Sequence, residues 1–564
     1  MQTADAKTKN FRDIDWDKFC KALEEQIAEM GISRWLSSQS EVSNECDKLT
    51  KALQETISKT VPSTIICPHS KHWWSKELKE MRRKFCRLGR GTGKCSRTPE
   101  HAVHKEFREV RKIYDKAIKY NKCHHWRDWL EKATEPDLWT ASKYITAQPS
   151  NGGKTKIPAL KQAAGNTEVI ASTNHDKSDL LARGFFPSRP EGDVRQYKAQ
   201  EYPEPICGTH KITKDQIRRQ LKRLRPFKAP GPDSIPNIVL SQCTDILTDR
   251  FFYIYSAILK RGCYYKPWKY FTTVVLRKPS KRRYDVPKAD CPIALLNTMA
   301  KLLTAIIAEQ LTYYTKKYEL LPPTHFGGRP GRTTTDALHV LTYRIKDAWR
   351  KKQVVSVLFL DIKGAFPNAD NERLSHNLRK RRVPVKITEF IHNMLKERVT
   401  ALKFDSFTSN RIALDNGIGQ GDPLSMALYQ YYNADLIDIP VGSNEGAAAY
   451  VDDAILITTA PDFQQTHDIL TDMMSRPGGA IEWSNAHNSK FEYSKLALIN
   501  FAHRNSKKTR SSLVLPNTVV EPTTNVKYLG VYMDQHLQWN THVAHAIKKG
   551  ANWGSQIRRA VAPS

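Results

Sequence analysis

Two adjacent aspartates, Asp452 and Asp453, lie between two apolar segments of the chain. Small residues at 446–449 and the pair Tyr450-Val451 precede them, and the apolar run 454–457 follows. This pattern predicts two strands joined by a tight turn, with both carboxylates at its tip. Paired carboxylates between apolar strands are electrostatically costly unless a positive charge neutralises them, and a divalent cation is the simplest candidate. The alternative is a surface hairpin whose turn residues happen to be Asp.

The excess of basic residues indicates which class of molecule the protein binds. The 564 residues include 89 Lys and Arg against 58 Asp and Glu, which gives a formal net charge of +31. Because Lys and Arg neutralise phosphates in nucleic-acid complexes, a nucleic-acid partner is favoured over a merely solvated basic surface. A chain of this length is expected to fold into about two to four domains.

Cysteine usage and the N-terminus bear on the compartment. The 10 cysteines lie between Cys20 and Cys291 without a C-x-x-C pair, so we expect reduced thiols and an intracellular protein. The first five residues lack the apolar core of a secretory signal. No run of about 18 apolar residues occurs, so no membrane partner is predicted.

The N-terminal part is predicted to be helical and basic. Phe19, Leu23, Ile27 and Met30 mark one face of a first helix, and a long helix is predicted at about 99–132. The tryptophans of the basic segment 71–144 either stack on bases or form the core of a helical hairpin. They are Trp73, Trp74, Trp126, Trp129 and Trp139. Residues 148–205 are rich in Gly and Pro and predict a linker or loose connector.

A third carboxylate follows another apolar strand. Residues 354–360 are almost continuously apolar and end at Asp361. If this strand and the hairpin at 446–457 are neighbours in one antiparallel sheet, three carboxylates meet at one edge. Such an edge suits two divalent ions, about 3.5–4 Å apart, of the kind that nucleotidyl transfer uses. Magnesium fits all-oxygen ligands of this type. A lone Asp at a strand end is otherwise an ordinary capping residue.

Several motifs, in a fixed order, resemble those of the reverse transcriptases of non-long-terminal-repeat (LINE-type) retrotransposons, especially fungal ones. The resemblance is strong over 211–533, and residues 11–145 look similar to the segment between endonuclease and polymerase in such elements. The motifs are Lys228-Ala229-Pro230-Gly231-Pro232-Asp233, Pro292-Ile293-Ala294-Leu295-Leu296-Asn297, Gly328-Arg329-Pro330-Gly331-Arg332, Phe359-Leu360-Asp361-Ile362-Lys363-Gly364-Ala365-Phe366, Gly419-Gln420-Gly421-Asp422-Pro423-Leu424-Ser425, Tyr450-Val451-Asp452-Asp453 and Tyr528-Leu529-Gly530.

The resemblance implies an α+β right-hand polymerase with fingers, a palm built on an antiparallel sheet, and a partial thumb, preceded by a helical N-terminal extension. The implied segments are a basic helical connector at 1–147, a linker at 148–210, fingers at 211–350, palm at 351–533 and a truncated thumb at 534–564, with the reverse transcriptase domain at about 255–533. It also implies RNA-directed DNA synthesis from deoxynucleoside triphosphates on an RNA template and a DNA primer, with two Mg²⁺ ions (Mn²⁺ as a substitute) and action in the nucleus.

The resemblance also assigns roles in the chemistry. Asp361 and Asp452 would be metal ligands, Asp453 a weaker ligand or a support, and the carbonyl of Ile362 would complete the metal shell. Lys495 resembles the lysine proposed as general acid for pyrophosphate, although a solvated lysine is the alternative.

Further residues resemble the nucleotide and template contacts of the family. Ala365 and Phe366 stand where the aromatic gate excludes a 2′-hydroxyl, with ordinary core as the alternative for Phe366. Gln420 and Gly421 would lie against the template–nucleotide pair, where glycine lets backbone approach closely. Lys278 and Lys281 would hold the triphosphate. Arg329 and Arg332 would meet template phosphates, and Tyr528, Leu529 and Gly530 resemble the primer grip.

Departures from the family pattern keep a second hypothesis open. Cys291 stands where the family has an arginine that contacts the triphosphate, and losing this clamp should weaken nucleotide binding. Asp290, Gly419 and Ser234 are further departures. We also expect a copy without an endonuclease and with a short C-terminal part, since the chain stops at Ser564. The alternative is therefore a decayed element that acts only as a basic nucleic-acid-binding protein.

Overall fold

A computed structural model of the chain describes residues 7–31, 34–65, 73–131, 156–164, 167–188, 201–207, 211–278, 281, 283–503 and 511–561. The α-helices are Trp16–Glu29 (α1), Gln39–Thr60 (α2), Lys76–Lys94 (α3), Ala102–Glu131 (α4), Asn174–Phe185 (α5), Lys214–Arg223 (α6), Asn237–Gln242 (α7), Thr244–Arg261 (α8), Thr298–Lys317 (α9), Thr334–Arg350 (α10), Ala365–Asn368 (α11), Asn371–Lys380 (α12), Val385–Leu395 (α13), Ser425–Ile437 (α14), Phe463–Ser475 (α15), Ala480–Ala486 (α16) and Asn540–Val561 (α17).

The strands alternate with these helices. They are Lys7–Lys9 (β1), Ser63–Ile65 (β2), Leu160–Ala164 (β3), Thr167–Ala171 (β4), Tyr270–Arg277 (β5), Asp290–Leu295 (β6), Val354–Asp361 (β7), Arg398–Phe404 (β8), Phe407–Thr408 (β9), Ile412–Leu414 (β10), Glu445–Tyr450 (β11), Asp453–Ala460 (β12), Ala497–Phe501 (β13), Leu513–Leu515 (β14), Thr518–Val520 (β15), Asn525–Tyr528 (β16) and Val531–Asp534 (β17). Within the described ranges, no helix is both long and apolar enough to cross a bilayer.

The chain forms two compact units. The first comprises residues 1–14, 61–154 and 544–564, and the second comprises 15–60 and 155–543. In the first unit β1 pairs with β2, and α3 packs against α4. Phe85 stacks on Phe107 and Tyr114, with ring centroids 5.0 and 5.4 Å apart. The predicted helix at 99–132 is thus present as α4, in a helical hairpin with an aromatic seam.

The N-terminal helices belong to the second unit, which differs from the predicted connector at 1–147. Phe19, Leu23 and Ile27 are buried on α1 as their spacing predicts. The reason for the different boundary is a buried contact between α2 and α8. Arg250 pairs with Glu45 at 3.3 Å and donates to the carbonyl of Ile27 at 2.8 Å. The two residues of this buried charge pair are 205 positions apart, so the sequence alone does not indicate that they meet.

Part of the predicted linker is folded. Within 148–210, β3 and β4 form an antiparallel pair and α5 follows. Leu160, Leu181 and Phe185 pack against Val275 and Leu402. The expectation of a loose connector is therefore wrong for residues 160–185. Their few apolar side chains form a hydrophobic core together with residues of β5 and β8, which are distant in sequence. The remainder of the linker prediction falls mostly outside the described residues.

Two sheets organise the second unit. The first has the order β10-β8-β5-β6, with β9 paired to β8, and β5 runs parallel to β8. The second has the order β11-β12-β7-β13, and all of its pairs are antiparallel. All strands of the second sheet lie in the segment 351–533 that was expected to be the palm, and we call it the palm sheet. We call the first sheet the fingers sheet, because β5 and β6 lie in the expected fingers segment, although β8, β9 and β10 lie in 351–533.

The palm sheet is covered by helices, which explains its continuous apolar strands. All residues of β7 before Asp361 are buried. Leu341 and Ile345 of α10 pack in one cluster with Val355, Val357 and other residues of the sheet. On β7, Ser356 bonds to Thr466 of α15 at 2.7 Å. A strand that is buried on both faces reads as an unbroken apolar run rather than an alternating one.

Candidate active site

The palm sheet brings three aspartates to one edge. β12 pairs with β7 so that Asp453 lies directly opposite Asp361. Asp452 occupies the turn between β11 and β12. The strands are therefore neighbours, as the sequence analysis expected, and the hairpin at 445–460 has the predicted strand-turn-strand form.

The three carboxylates repel one another. Asp452 and Asp453 are solvent-accessible at the edge of the sheet, so they are not enclosed between the apolar strands. Partial desolvation by the surrounding protein nevertheless raises the pKa of Asp452, and the negative charge of Asp361 raises it further. Partial desolvation also raises the pKa of Asp453, as do the negative charges of Asp452 and Asp361. An added cation would relieve this repulsion.

Lys495 contacts this cluster directly. Its Nζ donates to Oδ2 of Asp361 at 2.7 Å, with 60% of the lysine side chain and 40% of the aspartate side chain exposed. A pair so open to water contributes little to stability. The ammonium supplies positive charge where the sequence analysis expected a metal ion. Within the described residues, no group of three His, Cys, Asp or Glu side chains forms a ready-made metal cage.

The donor set nevertheless suits magnesium. The available atoms are carboxylate oxygens of Asp361, Asp452 and Asp453, with no sulfur or imidazole among them. Magnesium usually binds through one or two carboxylates, water and substrate phosphates rather than an all-protein cage. Ile362 lies in a bridge with Phe491, but the two bonds of that bridge use the carbonyls of Asp361 and Lys490. The Ile362 carbonyl therefore takes no part in this pairing.

Phe366 stacks on a tyrosine that the sequence analysis did not single out. Ala365 begins α11 and is buried, while Phe366 is partly exposed. The ring of Phe366 lies 4.7 Å from that of Tyr429 at an interplanar angle of 26°. Tyr429 is fully buried, and burial followed by the charge of Asp452 raises its pKa. The Phe366 ring thus has a rigid support close to the carboxylates.

The glycine-rich loop is tied to the fingers sheet. Ala294 N donates to the Gln420 carbonyl at 3.0 Å, and Cys291 Sγ lies 3.6 Å from Oε1 of Gln420. Gly421 has φ +114°, and a Cβ there would lie 2.8 Å from the Ala294 carbonyl oxygen. Only glycine fits this position without strain. The departure at Cys291 therefore lies beside Gln420 itself.

Three lysines lie between the end of β5 and the start of β6, and one of them is linked to Asp361 through Glu492. Nζ of Lys278 donates to the Lys288 carbonyl at 3.1 Å, and Lys281 N donates to Tyr284. Lys288 pairs with Glu492 at 3.4 Å. The amide of Glu492 in turn donates to the carbonyl of Asp361 at 2.9 Å. Lys288, which the sequence analysis missed, is thus linked through Glu492 to the end of β7. Pro279 and its neighbour fall outside the described residues.

Arg329 and Arg332 support the loop that carries them. Arg329 Nη1 donates to the carbonyls of Pro322 and His325 at 2.9 and 3.2 Å, and Arg332 donates to that of Pro323. Both line a cleft that also includes the cations Lys316 and Arg381 and the acidic residues Glu319 and Asp438. Their guanidinium groups are thus partly committed to loop carbonyls, in a cleft whose lining carries both basic and acidic side chains.

The Tyr528-Leu529-Gly530 segment forms a hairpin turn rather than one strand. Tyr528 ends β16, and Leu529 and Gly530 have φ +48° and +86°. The Tyr528 ring lies 5.2 Å from that of Phe359 on β7. Burial, and then the charge of Asp453, raises the pKa of Tyr528. The structure therefore brings this segment against β7, the strand that ends at Asp361.

The back of the catalytic hairpin is held by residues outside the motifs. Phe326 N donates to the Ala449 carbonyl at 2.8 Å, and Ala449 N donates to Thr324 O at 3.1 Å. Asn433 bonds to the turn at Val451. Asn433 and Tyr429 are four residues apart on α14, which follows the glycine-rich loop. That i, i+4 spacing places them on one face of the helix, but it does not reveal their contact with the turn at Val451.

Comparison with known proteins shows what residues 278–533 are similar to. The family described as reverse transcriptase (RNA-dependent DNA polymerase) matches residues 278–533. A relative from Drosophila funebris, "RNA-directed DNA polymerase from mobile element jockey", is 24% identical over 419 residues, covering 73% of this chain and 45% of the relative. "Probable RNA-directed DNA polymerase from transposon X-element" of Drosophila melanogaster is 26% identical over 423 residues, again covering 73% and 45%.

The solved structures add little to this comparison. Apo telomerase from Candida tropicalis aligns over 92% of this chain and 86% of that chain, at 9% identity and a TM-score of 0.36. A similarity this low carries no argument. In the sequence comparisons, residues 278–533 match the reverse transcriptase family, and the two relatives are named as RNA-directed DNA polymerases from a mobile element and, as probable, from a transposon. The chain spans less than half the length of these two curated relatives.

Proposed function

We propose that this chain is an RNA-directed DNA polymerase of a retrotransposon, which extends a DNA primer on an RNA template with deoxynucleoside triphosphates. The observation that carries the proposal is the meeting of Asp361, Asp452 and Asp453 at one edge of the palm sheet, where desolvation and then the neighbouring carboxylate charges raise the pKa values of Asp452 and Asp453. The match of residues 278–533 to the reverse transcriptase family supports the same chemistry.

The three aspartates would hold two Mg²⁺ ions, with Mn²⁺ as a substitute and the Ile362 carbonyl as a further ligand. When bound, such ions lower the pKa of the primer 3′-hydroxyl and neutralise charge on the leaving pyrophosphate. Asp361 would release Lys495, whose ammonium would then be free to donate a proton to pyrophosphate. Lys495 is close enough for this role, since it lies 2.7 Å from Asp361.

The nucleotide would lie between the fingers and the palm. Lys278, Lys281 and Lys288 are the cations available to the triphosphate, and Lys288 partly compensates for the arginine that Cys291 replaces. Gln420 and Gly421 would contact the template–nucleotide pair. The stacking of Phe366 on buried Tyr429 supports a role as the gate against a 2′-hydroxyl, because a supported ring cannot move aside.

The nucleic acid would be bound largely through phosphates. Arg329 and Arg332 would meet the template in their cleft, and the Tyr528-Leu529-Gly530 turn would contact the primer. The helical hairpin of α3 and α4 offers a basic face with paired aromatic rings, including Trp126 stacked on Trp129 at 5.2 Å. The resemblance of the chain to LINE-type elements supports action in the nucleus, because chromosomal DNA is the usual primer in that family.

A second candidate function follows from Cys291. A thiol that contacts Gln420 in place of an arginine removes a phosphate clamp, as expected for a decayed element that binds nucleic acid without turnover. Primer extension on an RNA template with Mg²⁺ separates the two candidates. Template-directed extension by the unsubstituted chain and its loss in Asp452→Asn support the polymerase. Equal incorporation by both proteins would refute it, and RNA binding without extension would support the decayed element.

A further inference from the structure

The turn that carries Asp452 has a backbone conformation that its own sequence does not favour. Val451 has φ +63°, in the left-handed region. A β-branched residue is a genuine outlier there, because its Cβ substituents crowd the backbone. Such a conformation persists only where the surrounding structure over-determines it. The neighbours of Val451 therefore bear on where Asp452 points.

Two neighbours hold the peptide groups of Val451. Nδ2 of Asn433 donates a 2.5 Å hydrogen bond to the Val451 carbonyl, which belongs to the peptide that leads into Asp452. On the other side, Gly327 approaches so closely that a Cβ at position 327 would lie 2.5 Å from Val451 N. Rotation of the Val451–Asp452 peptide would break the Asn433 bond, so this amide fixes the direction from which Asp452 leaves the turn.

A buried histidine fixes the orientation of the amide. Asn433 and His325 both have 0% of their surface exposed. Nε2 of His325 lies 2.8 Å from Oδ1 of Asn433. Burial lowers the pKa of His325 to about 4, so the ring is neutral at neutral pH. With Nδ2 committed to Val451, Oδ1 must accept, and the proton is assigned to Nε2. Reversing the amide would place its oxygen against the Val451 carbonyl, with two acceptors face to face, and its NH₂ group against the N–H of His325.

We infer that Asn433, oriented by His325, is a positioning residue that holds the strained Val451 turn and thereby aims the Asp452 carboxylate at the metal site. The inference rests on the proposed function, because it assigns Asn433 a part in the same site. Asn433 touches neither substrate nor metal. It acts through the backbone of Val451, and its effect should appear in metal affinity and kcat rather than in nucleotide KM.

The test compares two buried asparagines of the full-length protein. Asn433→Leu removes the bond to Val451. The matched control is Asn500→Leu, since Asn500 is equally buried, bonds to His467 at 3.1 Å and lies on β13, five register positions along β7 from Asp361. Both variants lose an amide that is paired with a histidine, and thermal denaturation is measured for each so that a general loss of stability is visible.

Mn²⁺ binding followed by electron paramagnetic resonance gives a readout that needs no activity. Asn433→Leu is expected to weaken Mn²⁺ binding and to lower kcat by about tenfold each, as for other residues that orient metal ligands. The KM for the nucleotide should stay within about threefold. Asn500→Leu should bind Mn²⁺ like the unsubstituted protein. Equal Mn²⁺ affinities for the two variants would overturn the inference.

A second comparison separates positioning from structural support. Because glycine adopts positive φ without strain, the turn should depend less on Asn433 in a Val451→Gly background. The factor by which Asn433→Leu weakens Mn²⁺ binding should therefore be at least about threefold smaller in the Val451→Gly protein than in the protein with Val451. An undiminished loss would count against the inference. If the Mn²⁺ affinities of the variants differ as expected but the unsubstituted chain does not extend a primer, the proposed function fails while the positioning role of Asn433 stands.

Discussion

Replacing Gly421 with alanine tests how closely the glycine-rich loop must approach the fingers sheet. Gly421 has φ +114°, and a Cβ there would lie 2.8 Å from the carbonyl oxygen of Ala294. A non-glycine residue in such a region costs about 1–3 kcal/mol, and here the contacting atom is backbone that cannot rotate away. If this cost is relieved by displacing the loop, kcat/KM for the nucleotide should fall by about 5- to 150-fold.

Steady-state incorporation of one deoxynucleotide on a primed RNA template measures this effect. The matched control is Gly419→Ala on the other side of Gln420, where the nearest atom to a new Cβ is Arg398 Nη1 at 4.0 Å. The control should keep kcat/KM within about threefold, because no strain arises there. Similar values for the two variants would refute the argument that backbone approach at Gly421 matters.

Three further predictions use other parts of the site. Cys291→Arg should lower the nucleotide KM by about three- to tenfold, because a guanidinium restores a charged clamp on the triphosphate, and an unchanged KM in primer extension would remove that argument. Phe366→Ala should reduce discrimination against ribonucleotides by about tenfold or more in competition assays, whereas unchanged discrimination would mean that the ring is only packing. Asp453→Asn should raise the Tm of the metal-free protein at pH 7. The folded-state pKa of Asp453 is raised, so stability is lost as the pH rises through it, and the difference between the proteins should shrink as the pH falls toward 4. A pH-independent difference in thermal denaturation would contradict this account.

The strands of the palm could be predicted because their signals are local. Residues 354–360 and 454–457 are apolar runs that end or begin at an Asp, and helices on both faces of the sheet explain why they do not alternate. The roles assigned to Asp361 and Asp452 came from the motif resemblance, and the register of β7 and β12 gives them a common edge.

Other parts of the site could not be predicted because they depend on contacts between distant residues. Lys288 meets Glu492 across 204 positions, and Asn433 reaches Val451 only because α14 passes behind the turn. The folding of residues 160–185 has a similar cause, since Leu160 and Phe185 complete their core against β5 and β8. In each case the residue belongs to no recognisable motif, and only the folded structure shows which distant residue it contacts.

The structure also changes how the paired aspartates are understood. They are not enclosed by the apolar strands but stand at an open edge, where Lys495 already pairs with Asp361. An exposed ion pair of this kind is weak, so a divalent cation with substrate phosphates can displace it. The departure at Cys291 lies on the fingers side of the site, so it bears on nucleotide affinity rather than on the carboxylates.

The most direct test of the central claim is incorporation of a single labelled deoxynucleotide into a DNA primer on an RNA template, measured as a function of Mg²⁺ concentration. The unsubstituted chain should extend the primer by the templated base, with saturation in Mg²⁺. Asp361→Asn should lose at least about a thousandfold in rate, while the exposed-surface control Asp468→Asn should not. Equal rates for Asp361→Asn and the unsubstituted chain would contradict a polymerase site at this edge of the palm.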